Sequence, residues 1–358
     1  MTIKDPMHPD EITPEWITHA LREGGVLKKA SAKSLAKDIL GQEIGFLSSV
    51  VRVRIEYDAH EKDAPLSVVV KIEPEEGDFR QFGDELHAFQ REIRFYKEVA
   101  VNVPVRLPRV YYAVDEPPAF SMVMEDLSSF TPGDQLVGMH ERQVMDTVEE
   151  LARLQARYWN NEALEKLEWM PDRNGVSDDY AQKWESFVTH FGQYLEPEGL
   201  ELGEKLCRFI DWKNKEIAKR PKTIVHSDLR EDNLLFAPPG SPDPIIIIDW
   251  QLAVKTLGTF DVARLMGGSE LPKERKRHQL RVLRKWHDTL LEEGVSGYTW
   301  EEALYDFRLA ALSVLCFPVH FHVGVIGAEG RTKELAKVIV SRNFSSAVDL
   351  DAGSILKE

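Results

Sequence analysis

The sequence predicts an α+β fold of two lobes, in which a small β-rich lobe precedes a larger, mostly helical one. Residues 50–57 and 66–72 are rich in valine and isoleucine and are separated by a polar turn, a pattern typical of antiparallel strands. After residue 126 the apolar residues recur mainly at helical spacing. A chain of 358 residues is long enough for both lobes, which we assign to residues 1–124 and 125–358.

The first predicted lobe begins with a helix. Thr13 provides the cap, Pro14 occupies the first turn, and Gly24-Gly25 ends the helix. Residues 31–40 form a second short amphipathic segment, after which the apolar period changes to two.

A longer helix is expected over residues 79–100, followed by two more strands. Apolar residues recur there three or four positions apart, at Phe82, Leu86, Phe89, Ile93 and Tyr96. Pro104 and Pro108 interrupt this helix, and the patterns at 110–114 and 121–125 predict strands.

The most informative stretch lies in the second lobe, where polar residues adjoin short apolar runs. It reads His226-Ser227-Asp228-Leu229-Arg230-Glu231-Asp232-Asn233, and it is followed by Ile248-Asp249-Trp250. Predicted buried strands flank these motifs at 224–225, 234–236 and 244–248. Phosphoryl transfer uses one carboxylate for the substrate hydroxyl, and an amide oxygen and another carboxylate for Mg²⁺. We therefore predict Asp228, Asn233 and Asp249 as catalytic residues; the alternative is polar turns between core strands.

A lysine and a glutamate in the first lobe match the same chemistry. Lys71 follows a run of valines in a predicted strand, and Glu92 lies on the next predicted helix. A strand lysine paired with a helix glutamate is how kinases orient nucleotide phosphates. The alternative is a surface lysine and a solvated glutamate, and Glu85 and Glu98 are the other candidate partners of Lys71.

The segment 41–49 before the first strand could cover a phosphate. It contains Gly45, Ser48 and Ser49. Backbone N–H groups in such a turn can bind an anion, and the serine hydroxyls can add donors. A plain β-turn explains the same residues.

Composition excludes several classes of protein. The formal net charge of −15 argues against a general nucleic-acid binder, which needs a basic surface. This charge is compatible with a cationic substrate, although acidity can serve solubility alone. Cys207 and Cys316 lie far apart in sequence, which excludes a disulfide scaffold or a zinc site and fits a reducing compartment.

Two further observations predict a cytoplasmic protein without a membrane span. The first residues, 1–6, are polar and lack a signal-peptide core. The longest apolar stretch, 309–326, contains Pro318, His320, His322 and Gly324. We interpret this stretch as a buried helix and its turn, because a membrane span rarely tolerates that mixture.

Several segments occur together in an order that carries a family resemblance. They are Gly45 with Ser48-Ser49, Lys71 in Val-Val-Val-Lys, Glu92 in Arg-Glu-Ile-Arg-Phe-Tyr, Met122 to Leu127, the segment 226–233, Ile-Asp-Trp-Gln at 248–251, and Asp261 in Phe-Asp-Val-Ala-Arg-Leu. The chain resembles the aminoglycoside phosphotransferase and choline kinase superfamily, especially its ecdysteroid kinase-like branch. This resemblance implies a protein-kinase-like fold and covers nearly the whole chain.

The resemblance implies a role for each matching catalytic residue. Asp228 would be the catalytic base, and Asn233 and Asp249 would bind Mg²⁺. Lys71 would bind the nucleotide phosphates while Glu92 holds it in place.

The resemblance also implies supporting residues. The backbone of Glu125 and Leu127 would receive the adenine of ATP. His226 would brace the catalytic loop, and Asp261 would anchor the segment after Asp249.

Two positions depart from the family's pattern. Ser227 stands where the family usually has glycine. Gln251 stands where many members carry an acidic residue, so a carboxylate that could supplement the metal site is missing.

The implied function is transfer of the γ-phosphoryl group of ATP or GTP to a hydroxyl of a small-molecule metabolite or drug. Only eleven residues separate Asp249 from Asp261, which leaves no room for the activation loop of a protein kinase. A nucleotide-binding pseudokinase that serves as a regulatory module is the other alternative. Residues 160–205 are acidic and aromatic; they could cage a cationic amine, or they are a solvated helix face over a core stripe.

Overall fold

The structure is a computed structural model that describes residues 4–40, 49–73, 83–116, 119–173, 177–238 and 240–357. The chain forms two compact units. The first comprises Met1–Asn102, Leu107–Ser129 and Ile248–Leu252, and the second comprises Val103–Arg106, Phe130–Ile247 and Ala253–Glu358. The division after Ser129 lies a few residues beyond residue 124, where the sequence analysis places it. Ile248–Leu252 belongs with the first unit, where Trp250 stacks on Phe95.

Five antiparallel strands form the sheet of the first unit: β1 (Ala32–Leu40), β2 (Ser49–Tyr57), β3 (Ser67–Ile72), β4 (Val110–Glu116) and β5 (Ala119–Glu125). Their order in the sheet is β1-β2-β3-β5-β4. Lys71 is paired with Val50 on one side and Met122 on the other, so it lies on the central strand. The predicted strands β2 to β5 are confirmed to within a few residues.

Strand β1 is the main difference from the expected order of elements. Residues 31–40 were expected as a short amphipathic segment before the sheet, but they pair with β2, for example Leu35 with Ile55. The strand lies at the edge of the sheet, and Ile39 is 50% exposed. Because β1 has no face that is continuously buried, its sequence lacks the strict alternation by which strands are recognised.

Helix α1 (Pro14–Glu23) packs on this sheet. The Thr13 hydroxyl accepts a hydrogen bond from the N–H of Trp16 at 3.2 Å and caps the helix, as predicted. Helix and sheet share one apolar core, formed by Trp16, Ile17, Ala20, Leu21, Val51, Val53, Val68 and Val70. This core fixes β3 and therefore the backbone of Lys71.

Helix α2 (Ala88–Arg94) is shorter than the helix predicted over residues 79–100, of which 79–82 lie outside the described residues. His87 has a φ of 51°, a left-handed conformation that a regular α-helix does not contain, so α2 begins after it. At its other end α2 continues into a π-helical turn, Phe95–Val99. Such wide turns are frequent at functional sites. Here the turn carries Phe95, whose ring stacks on Trp250 with centroids 4.1 Å apart.

The second unit is mainly helical, which confirms the predicted fold class. Its helices are α3 (Glu141–Arg157), α4 (Glu162–Glu165), α5 (Tyr180–Phe191), α6 (Pro197–Ala218), α7 (Thr259–Ser269), α8 (Pro272–Glu292), α9 (Trp300–Val314), α10 (Cys316–Phe321) and α11 (Gly330–Asp349). Its strands are β6 (Thr131–Pro132), β7 (Thr223–Val225), β8 (Leu234–Phe236), β9 (Ile245–Ile247) and β10 (Val254–Thr256). Strands β6, β8 and β9 form one small antiparallel sheet, and β7 and β10 form another. The strands predicted around the catalytic loop are confirmed.

The apolar stretch predicted as a buried helix belongs to α9 and α10. By length and composition, Trp300–Val325 is the one segment in the described part of the chain that could cross a membrane. However, 61% of its most apolar window is buried inside the protein. Leu309, Leu312 and Cys316 are fully buried, so core packing accounts for the apolar sequence.

Helix α6 packs closely against α5 at Gly203. A Cβ atom at Gly203 would lie 2.0 Å from Cη2 of Trp184. That ring cannot move easily, because it packs against Tyr180 and Phe187 and donates a hydrogen bond to Glu204 at 2.7 Å. We expect Gly203→Ala to lower the free energy of unfolding by about 1–3 kcal/mol, measured by urea denaturation.

Gly199→Ala on the same helix is the matched control. A Cβ atom there would lie 3.5 Å from Cβ of Phe344, an ordinary contact. Alanine favours a helix over glycine by about 1 kcal/mol, so this variant should be as stable as the native chain or more stable. Equal losses of stability in the two variants would contradict the close contact at Gly203.

Candidate active site

The predicted catalytic loop, residues 226–233, lies in the second unit between β7 and β8. The buried carboxylate of Asp261, on α7, accepts hydrogen bonds from the backbone N–H groups of His226 at 2.7 Å and Ser227 at 3.0 Å. Burial raises the pKa of Asp261 to about 7, whereas these two donors act in the opposite direction. The resemblance implied an anchor for the segment after Asp249, but these hydrogen bonds of Asp261 hold the catalytic loop.

The first turn of the loop is strained at Ser227. This residue has a φ of 73°, in the left-handed region that glycine adopts without steric cost. The glycine usual at this position in the family therefore has a conformational reason. The adjacent His226 is fully buried, and its Nδ1 accepts a hydrogen bond from the N–H of Asp228 at 3.3 Å, which fits its predicted bracing role.

Two arginines hold the carboxylate of Asp228. Arg264 Nη2 donates to its Oδ1 at 2.9 Å, and Arg230 Nε donates to its Oδ2 at 3.1 Å. Burial alone would raise the pKa of Asp228, but the two guanidinium groups lower it below its ordinary value. The carboxylate is therefore ionised at neutral pH, the state that a general base requires.

Asn233 lies against the same carboxylate. Its Nδ2 donates to the backbone oxygen of Asp228 at 2.9 Å and to Oδ2 at 3.3 Å. The amide oxygen is the other polar atom of this side chain. A hard oxygen of this kind suits Mg²⁺, which takes few protein ligands and completes its shell with water and phosphate oxygens.

In the first unit, Lys71 forms two ion pairs, a buried one with Glu92 and a partly buried one with Asp249. Its Nζ lies 2.6 Å from Glu92 Oε2 and 2.7 Å from Asp249 Oδ1. The side chains of Lys71 and Glu92 are 9% and 2% exposed. Burial would lower the pKa of Lys71, but Asp249 and Glu92 raise it well above its ordinary value, so the lysine stays charged. Lys71 thus pairs with the predicted Glu92, and not with Glu85 or Glu98.

Asp249 follows β9 with a φ of 68°, which is unusual for a residue other than glycine. Its second oxygen, Oδ2, accepts a hydrogen bond from Gln251 Nε2 at 3.0 Å. Gln251 therefore orients the aspartate with an amide donor, where an acidic residue would repel it. Both carboxylate oxygens are held, so the orientation of the aspartate is fixed.

The predicted adenine-binding backbone lies at the end of β5. Glu125 closes the strand, and its N–H donates to the backbone oxygen of Arg109 at 2.8 Å. Leu127 follows with a buried side chain. Between them Asp126 accepts hydrogen bonds from Ser67 at 2.5 Å and from Arg52 at 3.3 Å, which fixes this segment to β2 and β3.

Ser49, the last residue of the predicted phosphate-covering loop, is the first residue of β2. Gly45 and Ser48 lie outside the described residues. Their predicted role remains a prediction.

Arg230 and Arg264 are the site residues that the sequence analysis did not single out. Arg264 follows Asp261 by three positions on α7, so both side chains project from one face of the helix. Asp261 contacts the backbone of the catalytic loop, and Arg264 contacts the side chain of Asp228. This spacing was the signal in the sequence, since a residue beside the anchoring aspartate on one helix face must also approach the loop.

The contact between Lys71 and Glu92 leads to a test of coupling. We expect Lys71→Ala to weaken nucleotide binding by about 10- to 10²-fold, because a hydrogen bond to a charged group contributes about 1.5–3 kcal/mol. Glu92→Ala should have a smaller effect, because Asp249 still holds the lysine. The double variant should be little worse than Lys71→Ala alone, since the two groups act as a unit. Calorimetric titration with ATP and Mg²⁺ measures all three.

Glu98→Ala is the matched control for this series. Glu98 lies on the π-helical turn after α2 and is exposed. Its removal should leave nucleotide affinity unchanged. Additive losses for Lys71 and Glu92, or an effect of Glu98 as large as that of Glu92, would refute the functional pairing.

Comparisons with known proteins identify the family and the fold. Residues 43–294 match the ecdysteroid kinase-like family. No curated protein sequence matches the chain. The fold resembles that of a microcompartment-associated aminopropanol kinase, with 15% identity and a TM-score of 0.51 over 96% of this chain and 99% of that one. It also resembles an aminoglycoside 2'-phosphotransferase-IIIa in complex with GDP, with 15% identity and a TM-score of 0.53 over 90% of this chain and 95% of that one. A third similar structure is a choline kinase from Streptococcus pneumoniae, with 13% identity and a TM-score of 0.51 over 89% of this chain and 94% of that one. These similarities show a shared kinase-like fold. Because the family match spans well over half of the sequence, the chain belongs to the ecdysteroid kinase-like family.

Proposed function

We propose that this protein transfers the γ-phosphoryl group of ATP or GTP to a hydroxyl group of a small molecule, with Mg²⁺ as cofactor. The observation that carries the proposal is the buried contact of Lys71 with Glu92 and Asp249. Removing charges from water costs several kcal/mol per ion, so a buried ion pair adds little to stability. Such a cluster is better explained by a functional task, and binding phosphates is the task of a lysine at this position in kinases.

In this proposal the residues of the first unit bind the nucleotide. Lys71 contacts the phosphates, and Glu92 keeps its ammonium group in place. The backbone of Glu125 and Leu127 receives the base. Asp249 supplies carboxylate oxygens to Mg²⁺, which neutralises charge on the phosphates when it is bound.

The residues of the second unit act on the acceptor. Asp228 accepts the proton of the acceptor hydroxyl while the oxygen of that hydroxyl forms a bond to the γ-phosphorus. The bond between that phosphorus and the bridging oxygen breaks, and the nucleoside diphosphate leaves. Asn233 holds Asp228 through its amide nitrogen and offers its amide oxygen to the metal.

The short segment after Asp249 supports a small acceptor rather than a polypeptide. Helix α7 begins at Thr259, so only a short 3₁₀ turn, Trp250–Leu252, and the strand β10 precede it. An activation loop that could dock a peptide has no place there. All predicted reactive side chains are present, which supports an active enzyme over a pseudokinase.

Release of nucleoside diphosphate tests the proposed function directly. The assay compares reactions with and without a panel of alcohols, and it includes GTP because one structural neighbour was determined with GDP. Acceptor-dependent release is expected. Nucleotide binding without turnover on any alcohol would favour the regulatory alternative.

The nucleotide should bind more tightly in the presence of Mg²⁺. In this proposal the oxygen atoms of Asn233 and Asp249 would be ligands of the ion, which would neutralise charge on the phosphates. Calorimetric titration of ATP with Mg²⁺ and then with excess chelator measures the difference. Equal affinities in the two titrations would exclude the proposed metal role.

Asp228→Asn should retain nucleotide binding and lose most phosphoryl transfer. General-base assistance contributes about 10²- to 10⁴-fold to such reactions, and the amide cannot accept the proton. Turnover and nucleotide affinity are measured separately. Asp243→Asn, at an exposed position, is the matched control with unchanged turnover. Near-native turnover of Asp228→Asn would remove this residue from the role of base.

A further inference from the structure

A cavity in the second unit is lined by Arg264, the residue whose side chain contacts the proposed catalytic base, Asp228. Its volume is about 180 Å³. Side chains of α5, α7, α10 and α11 and of the turn after α10 line it, among them Arg264, Phe317, Phe321, Leu335 and Ile339. The contact of Arg264 with Asp228 at 2.9 Å connects the cavity wall to the catalytic loop.

The cavity wall is apolar and carries one permanent charge. Among the described residues that line it, Arg264 is the only Asp, Glu, Lys or Arg. His322 also lines it, but its Nδ1 lies 2.8 Å from the backbone oxygen of Val319 and its Nε2 lies 2.9 Å from the hydroxyl of Ser186. Burial lowers the pKa of His322, so this side chain is neutral. The cavity therefore does not attract a cation.

Arg264 has hydrogen-bonding capacity left over. It is buried and packs over the ring of Phe317, with its guanidinium carbon 5.2 Å from the ring centroid. Its Nη2 is used by Asp228, whereas Nε and Nη1 have no hydrogen-bond partner in the described part of the chain. A buried N–H group without a partner is unfavourable, and an oxygen atom of a ligand would satisfy it.

We propose that this cavity receives the apolar end of the acceptor alcohol and that Arg264 binds an oxygen next to the reacting hydroxyl. The inference rests on the proposed kinase function and names its substrate class. A cavity of about 150 Å³ in another protein binds benzene, so this one takes an apolar group of roughly the size of one ring. The acceptor is then a ring-bearing alcohol with a neighbouring hydroxyl, carbonyl or carboxylate oxygen, and not an amine.

Trp184 is the most deeply buried tryptophan of the acidic and aromatic segment 160–205. Trp184 is buried against Tyr180 and Phe187 on α5 and is bonded to Glu204. Trp184 therefore belongs to the core, which favours the interpretation of a helix face over a core stripe at this position.

Three matched alcohols test the proposal by calorimetry, with Mg²⁺ and a non-hydrolysable ATP analogue present. They are 3-phenyl-1,2-propanediol, which is neutral, 3-phenyllactate, which is anionic, and phenylalaninol, which is cationic. We expect the diol and the hydroxy acid to bind at least roughly tenfold more tightly than the amine. No binding of either ring alcohol, or equal binding of the amine, would overturn the proposal.

Two variants locate the binding site. Ala336→Phe places a ring into the cavity wall and should abolish binding of the alcohols, whereas Lys333→Phe adds the same ring at an exposed position of α11 and should not. Arg264→Lys keeps the charge but removes the planar set of donors, so it should weaken the alcohols and leave the nucleotide analogue unaffected. Unchanged alcohol binding in Ala336→Phe overturns the cavity assignment. Failure of the native chain to bind the analogue instead overturns the proposed function itself.

Discussion

The burial of one ammonium group constrains the whole first unit. Lys71 lies on the central strand of the sheet, where its charge is tolerable only because Glu92 and Asp249 both contact it. The two carboxylates come from chain segments far apart in sequence, so the helix after β3 and the segment after β9 must both be held against the strand. The stacking of Phe95 on Trp250 and the π-helical turn that carries Phe95 serve that requirement.

The second unit also surrounds a buried charged group with oppositely charged neighbours, but there the buried group is negative. There the buried group is the carboxylate of Asp228, and cations from its own loop and from α7 surround it. Helix α7 contributes twice, since Asp261 fixes the backbone of the loop and Arg264 fixes the side chain of the base. Helix α7 therefore determines where the loop lies and, together with Arg230 of the loop itself, keeps its aspartate ionised.

Much of this could be read from the sequence because it depends on local pattern. The cap at Thr13, the valine strands and the spacing of Asp228, Asn233 and Asp249 are short-range signals, and the pairing of Lys71 with Glu92 follows from their elements. Strand β1 was missed because an edge strand is specified by its partner rather than by its own alternation. The left-handed His87 and the contact of Arg230 with Asp228 were missed because no periodicity encodes them, whereas the spacing of Arg264 from Asp261 was a signal that was not used.

The left-handed backbone at Ser227 and Asp249 has a consequence for the residues around them. Each strained residue costs about 1–3 kcal/mol, which the surrounding structure must offset. At Ser227 the offset comes from Asp261, which accepts the backbone N–H groups of His226 and Ser227. At Asp249 it comes from Lys71 and Gln251, which hold the two carboxylate oxygens. These neighbours therefore carry a conformational load in addition to any part they play in the chemistry.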